Sequence, residues 1–109
     1  MKNKLYNCQE INKFARQINN KEIAETKEIL LLQDEFGWSV AHWLVSRTTW
    51  STDDRDILML QDMHKESVAH LLSDYNLNWT SDIPEIISLT NDRGISVEDL
   101  LERRIKEYK

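Results

Sequence analysis

The sequence contains few of the residues that form tight turns or break helices: its 109 residues include two glycines and one proline. β-Hairpins depend on turns rich in glycine, so a domain built mainly of β-sheet is not expected. The apolar residues instead recur at helical spacing, for example at Ile11, Phe14, Ala15 and Ile18, which would share one face of a helix. The sequence therefore predicts an all-α domain.

Cysteine and long apolar segments are also scarce. The single cysteine, Cys8, excludes a disulfide framework and is typical of a reducing compartment. No segment approaches the roughly 18 consecutive apolar residues of a membrane-spanning helix, and the first residues do not resemble a signal peptide. We therefore expect a cytoplasmic protein with no membrane partner.

Basic residues are outnumbered by acidic ones. Lysine and arginine total 14 against 19 aspartates and glutamates, which gives a formal net charge of −5. A domain that binds nucleic acid usually carries a basic stripe, so no nucleic-acid partner is expected. The remaining composition, 40% hydrophobic and 30% charged, is that of an ordinary globular domain.

The main feature of the chain is a repeat. Residues 33–44, QDEFGWSVAHWL, return as QDMHKESVAHLL at residues 61–72 and as TNDRGISVEDLL at residues 90–101. The three copies begin 28 and then 29 residues apart. A period of this length is typical of proteins whose units each bury an apolar face against their neighbours.

The repeat divides the chain into units of one single domain. We predict a short α-solenoid of stacked antiparallel helix pairs, with about seven helices in all. Its units are a degenerate first unit (1–32), two full units (33–60 and 61–89) and a C-terminal capping unit (90–109).

Each copy carries a serine followed three residues later by histidine or aspartate: Ser39 and His42, Ser67 and His70, Ser96 and Asp99. A serine here is a helix N-cap, and the residue at the third helical position can bond back to it, as in a capping box. The second members of the helix pairs are predicted over about residues 22–32 and from near Thr52 and Ser81. Gly37 is suited to a turn that needs a positive φ.

The histidines invite a metal or catalytic interpretation, but His42 and His70 occupy the same position in successive units. Residues so related lie about 10 Å apart in packed helices, too far for two ligands of one zinc ion. Paired acids such as Asp53 and Asp54 are typical of a solvated helix start. We therefore predict structural caps, with no catalytic residue, metal or cofactor.

The first copy, DEFGWSVAHWL, resembles the ankyrin-repeat motif D-x-x-G-x-T-P-L-H-x-A. The matching residues are Asp34, Gly37, Ser39 and His42. No proline follows the serine, Lys65 replaces the glycine in the second copy, and the units are shorter than the ankyrin period of about 33 residues. The resemblance implies an ankyrin-like helical stack with shortened β-turn fingers, and a role in protein–protein interaction.

The four tryptophans can be separated by their aligned positions. Trp43 aligns with apolar residues in every unit and is expected in the core, while Trp50 and Trp79 each precede a helix and are expected to pack there. Trp38 aligns with Glu66, so its position does not require burial. Together with Phe36 it would form either a contact patch or a cover over the adjacent helix.

If the resemblance holds, one edge of the stack binds the partner. The residues predicted to contact it are Glu35, Phe36, Trp38, Met63, His64, Glu66, Asp92, Arg93 and Ile95 between the helices, and Arg47, Asp74, Tyr75 and Arg103 along them. The function predicted from this edge is to block or sequester a protein, as a phage- or bacterium-encoded inhibitor would. The alternatives are a self-assembling structural protein, such as a homodimer, and an enzyme.

Overall fold

The computed structural model describes residues 6–76 and 78–107, which form seven helices and no strand. The four long helices are α1 (Cys8–Asn19), α3 (Val40–Arg47), α5 (Val68–Tyr75) and α7 (Val97–Glu107). The three short helices, of four residues each, are α2 (Lys27–Leu30), α4 (Arg55–Leu58) and α6 (Pro84–Ile87). The all-α prediction is confirmed, and the radius of gyration, 14.0 Å, is that of a compact domain of this length.

Successive long helices lie side by side. Among the long helices, α3 packs against α1 and α5, and α5 packs against α7. Each short helix packs against the long helix that follows it, α2 on α3, α4 on α5 and α6 on α7. The period of the sequence therefore corresponds to one short helix followed by one long helix.

The long helices begin at the predicted caps. Ser67 Oγ accepts from His70 N at 3.0 Å, and His70 Nδ1 lies 3.2 Å from Ser67 N, which is a reciprocal capping box. Ser39 with His42 repeats this arrangement, and Asn7 with Glu10 forms a third capping box at the start of α1. At α7, Ser96 bonds with Asp99 in both directions at 3.0 Å.

The short helices were predicted too long. The helix expected over residues 22–32 is limited to Lys27–Leu30, because Thr26 is extended and caps it by accepting from Ile29 N. The start expected near Thr52 is three residues later, at Arg55.

A threonine or serine upstream forms a turn of its own instead of starting a helix. Thr52 Oγ1 accepts from Asp54 N at 3.1 Å, and Asp54 then caps α4. The helix expected near Ser81 likewise begins at Pro84, whose missing N–H suits the first helical position.

The core runs through the line of long helices. Its side chains include Ile11, Ala15, Val40, Leu44, Val68, Leu72, Val97 and Leu101 from the long helices and Leu30, Ile57, Leu58 and Ile86 from the short ones. Trp79 is buried and donates from Nε1 to Thr52 O at 3.1 Å. Trp43 and Trp50 are half-buried and pack against the core.

Candidate functional site

Three loops of the same geometry precede the long helices. We name them loop 1 (residues 34–38), loop 2 (residues 62–66) and loop 3 (residues 91–95), and the row that they form is the loop edge. In loop 1, Asp34 Oδ1 accepts from Phe36 N at 2.8 Å and from Trp38 N at 3.0 Å. The first residues of loops 2 and 3, Asp62 and Asn91, make the same two bonds. One side-chain oxygen therefore fixes each loop.

The loops are also joined to one another. Met63 N donates to Phe36 O at 2.9 Å, and Asp92 N donates to His64 O at 2.9 Å. A glutamine strengthens the first of these junctions, because Gln33 Nε2 donates to Gly37 O within its own loop and to Gln61 O of the next unit. The loop edge is thus a continuous hydrogen-bonded surface.

The histidines tie each cap to the following unit. His42 Nε2 lies 3.0 Å from Glu66 O, and because a carbonyl oxygen can only accept, Nε2 carries the proton. Nδ1 then accepts from Ser39, whose Oγ is 2.6 Å away. Burial lowers the pKa of His42 below its ordinary value of 6.5, against the opposing effect of the bond to Glu66 O.

His70 makes the equivalent bonds to Ser67 and to Ile95 O. Both ring nitrogens of each histidine are therefore engaged within the protein.

The structure places most of the predicted contact residues at the surface. Those that are exposed on the loop edge are Glu35, Phe36, Met63, His64, Asp92 and Arg93, and those exposed on the long helices are Arg47, Asp74, Tyr75 and Arg103. Trp38, Glu66 and Ile95 are half-buried. Trp38 packs on the ring of His42, with the two ring centroids 4.9 Å apart. Trp38 thus covers part of the adjacent helix as well as contributing to the surface.

A groove at the loop edge gathers part of this set. It encloses about 420 Å³. Its lining consists of Trp38, Asp62, His64, Glu66, Leu71, Asn91, Asp92 and Arg93. Sequence reasoning named five of these residues and missed Asp62, Leu71 and Asn91. Asp62 and Asn91 share the repeat position of Asp34, and this recurrence is the signal by which the sequence could have indicated them.

A second surface, formed by the short helices, carries ion pairs between successive units. Lys27 Nζ lies 2.6 Å from Asp56 Oδ2, and Arg55 pairs with Glu85 of the next unit. The hydrogen bond to Asp56 raises the pKa of Lys27. Met59 is exposed here but only to 37%. Its exposed residues are therefore mainly charged, whereas the loop edge combines charged residues with the exposed apolar side chains of Phe36 and Met63.

No family model, curated protein or solved structure matches this chain. A function must therefore be inferred from the residues and contacts themselves. Within residues 6–76 and 78–107, no helix has the length and apolar character needed to cross a membrane.

Proposed function

We propose that this protein is a small recognition module that binds a partner protein through the loop edge and thereby blocks or sequesters it. The observation that carries this proposal is the exposure of two large apolar side chains on neighbouring loops. Phe36 is 52% exposed and Met63 is 59% exposed, and the backbone bond between their residues holds them side by side. Aromatic residues and methionine are enriched at the centres of protein interfaces.

The rigidity of the loop edge supports the same function. Each loop is held by its first side chain and by bonds to the adjacent loop, so little ordering would be needed when a partner binds. A pre-organised surface loses less conformational entropy on association and so binds more tightly for its area. Exposed charged residues, Glu35, Asp92 and Arg93, surround the apolar pair as a polar rim.

The proposal includes an ankyrin-like repeat architecture and a cytoplasmic setting. Support for the architecture comes from three successive units of the chain. Each contains a loop, a serine cap and a long helix, and the units recur at the 28- and 29-residue spacing of the sequence repeat. Ankyrin-like units would present their loops along one edge, where the exposed apolar pair lies. An inhibitor encoded by a phage or a bacterium is the most economical form of such a protein.

The test compares two matched surfaces. Phe36→Ser combined with Met63→Ser removes the apolar pair from the loop edge, and Met59→Ser removes an exposed methionine from the surface of the short helices. Both variants should keep the helical spectrum and melting temperature of the parent. We expect the double variant to bind a partner captured from source-cell lysate at least ~30-fold more weakly, the effect of losing about 2 kcal/mol at a hot spot. Met59→Ser should bind as the parent does.

Two outcomes would contradict the proposal. If Met59→Ser abolishes capture while the double variant retains it, the contact surface is on the short helices. If light scattering gives a dimer that the double variant dissociates, and the parent captures no other protein, the loop edge serves self-assembly.

A further inference from the structure

The groove at the loop edge has an excess of negative charge. Its lining contains the carboxylates of Asp62, Glu66 and Asp92 and one guanidinium, that of Arg93. His64 Nδ1 lies 3.7 Å from Asp92 Oδ2. The whole chain has a formal net charge of −5, which favours the approach of a cation over that of an anion.

We propose that this groove receives the guanidinium group of an arginine side chain presented by the partner protein. The assignment rests on the proposed function above and specifies the chemistry of the partner. At about 420 Å³ the groove is large enough for one long side chain, since small-ligand pockets in proteins begin at ~300 Å³.

Trp38 supplies an aromatic wall for the cation. Its ring lines the groove and packs against the buried ring of His42, with centroids 4.9 Å apart, so its position is fixed before a ligand arrives. A cation over an indole is attracted by the negative face of the ring. A guanidinium group is planar, so it can stack on the indole and keep its N–H groups available for acceptors at its edge.

Glu66 supplies a fixed acceptor beside this wall. Its Oε1 accepts from Asn91 Nδ2 at 3.1 Å, which holds the carboxylate between loops 2 and 3. Within the described part of the chain, Oε2 has no hydrogen-bond donor and is therefore available to a ligand. Asp62, in the same loop, uses Oδ1 for the two N–H groups of the loop. A guanidinium can donate to two carboxylate oxygens at once, which an ammonium group cannot do with the same geometry.

The experiment uses three capped tripeptides that differ only in the central residue: arginine, citrulline or lysine. Citrulline has nearly the shape of arginine without its charge. Each peptide is titrated into the full chain, and nuclear magnetic resonance follows the indole N–H of Trp38 and the backbone amides of loops 2 and 3. The arginine peptide should give saturable shifts in these signals with a dissociation constant of ~1–10 mM, as expected of a single side chain. The citrulline peptide should give none.

Two variants test whether the carboxylate of the groove is responsible. Glu66→Gln keeps the shape of the side chain and removes its charge, and it should weaken the arginine peptide at least ~fivefold through loss of a charge-assisted bond. Glu35→Gln is the matched control, because Glu35 is exposed on loop 1 but does not line the groove. It should leave the affinity unchanged.

The inference is overturned if citrulline binds as well as arginine, if lysine binds as tightly, or if the arginine peptide leaves the groove signals unmoved. None of these results affects the proposed function, which depends on Phe36 and Met63. Conversely, failure of the partner-capture experiment with intact binding of the arginine peptide would remove the proposed function and the partner protein, and would leave only the affinity of the groove for a guanidinium group.

Discussion

Loops 1 and 2 are each bonded to the unit that follows, whereas loop 3 is followed only by α7 in the described part of the chain. At the first two positions, Gln33 and Gln61 each donate from Nε2 to a carbonyl of the next unit, at 3.1 and 3.2 Å. The aligned residue of the third copy is Thr90, whose side chain is too short for this bond. The repeat therefore differs between its inner units and its last one.

The capping residues differ in the same way. A histidine ring has two nitrogens on opposite sides, so His42 and His70 can accept from their own cap and donate to the next unit. A carboxylate has no proton to donate to a carbonyl, and among the described residues Asp99 forms hydrogen bonds with Ser96, the cap of its own helix. The comparison shows that a histidine in this capping box does two tasks and that aspartate suffices where only the cap is needed.

The largest expected loss of stability is at Gly37, and Gly94 is the matched position for comparison. Gly37→Ala should lower the free energy of unfolding by about 3 kcal/mol, because the added Cβ would lie 2.8 Å from Asp62 Cα and φ is +79°. Gly94→Ala should cost about 1 kcal/mol, because φ is +76° but nothing lies within 4 Å of the added Cβ. Urea denaturation of the two variants gives both values.

Equal losses at the two glycines would show that the contact between loops 1 and 2 yields to a methyl group without cost. In that case the backbone bond from Met63 N to Phe36 O should be lost or lengthened in Gly37→Ala. Hydrogen exchange at the amide of Met63 measures this directly, with the amide of Asp92 as the internal reference.

The parts of the fold that could be predicted from the sequence are those determined by near neighbours in the chain. A serine cap and its partner are three residues apart, so the starts of α3, α5 and α7 could be recognised from the motif alone. The start of α4 could not, because Thr52 and Asp54 are both good caps; in the structure Thr52 accepts from Asp54 N and Asp54 caps the helix. Local sequence permits both positions.

The candidate site could be predicted only in part for a related reason. Exposure of Phe36 was one of the two alternatives that its alignment with His64 and Arg93 left open, and the structure shows it exposed. The groove did not, because it depends on the distance between loops 2 and 3 and on the position of Trp38 relative to Glu66 and Asn91. Such distances between units are set by the packing of helices and by the Gln33 and Gln61 bonds, which have no local signal in the sequence.

The second prediction concerns the pH dependence of stability, which should differ between the histidine cap at His42 and the aspartate cap at Asp99. Because burial lowers the pKa of His42 below 6.5, the unfolded chain binds a proton more readily, and stability should fall as the pH drops below 6.5 through the folded pKa. His42→Gln should therefore lose less stability than the parent between about pH 7 and about pH 5, where histidine titrates. Chemical denaturation at each pH measures the difference.

Asp99 should affect stability at lower pH than His42 does. Hydrogen bonds from the backbone and side chain of Ser96 lower the pKa of Asp99 below 3.8, so its contribution is present above that value and is lost as the pH falls through the folded pKa. Asp99→Asn should leave the range between about pH 7 and about pH 5 unchanged. Two results would contradict this assignment of pH ranges. One is a weaker pH dependence of unfolding free energy for Asp99→Asn between about pH 7 and about pH 5, and the other is an unchanged pH dependence for His42→Gln.

The smallest expected effect concerns Lys65, which occupies in loop 2 the position of Gly37 and Gly94. Its φ of +61° is in the left-handed region, where a side chain costs about 1 kcal/mol or more. Lys65→Gly should therefore raise the free energy of unfolding by ~0.5–1 kcal/mol, since the greater freedom of glycine in the unfolded chain offsets part of the gain. Lys65→Ala keeps the backbone strain and should change little.

Gly94→Lys is the reciprocal change and sharpens the comparison between the inner and last loops. Nothing lies within 4 Å of a Cβ at this position, so the lysine should meet only the cost of its positive φ. We expect the loss at residue 94 to match the gain at residue 65 within about 0.5 kcal/mol, because the two residues have the same place in their loops and both lie in the left-handed region, with φ of +76° and +61°. If Lys65→Gly instead destabilises the protein, the lysine side chain must make a compensating contact in loop 2 that Gly94 does not need in loop 3.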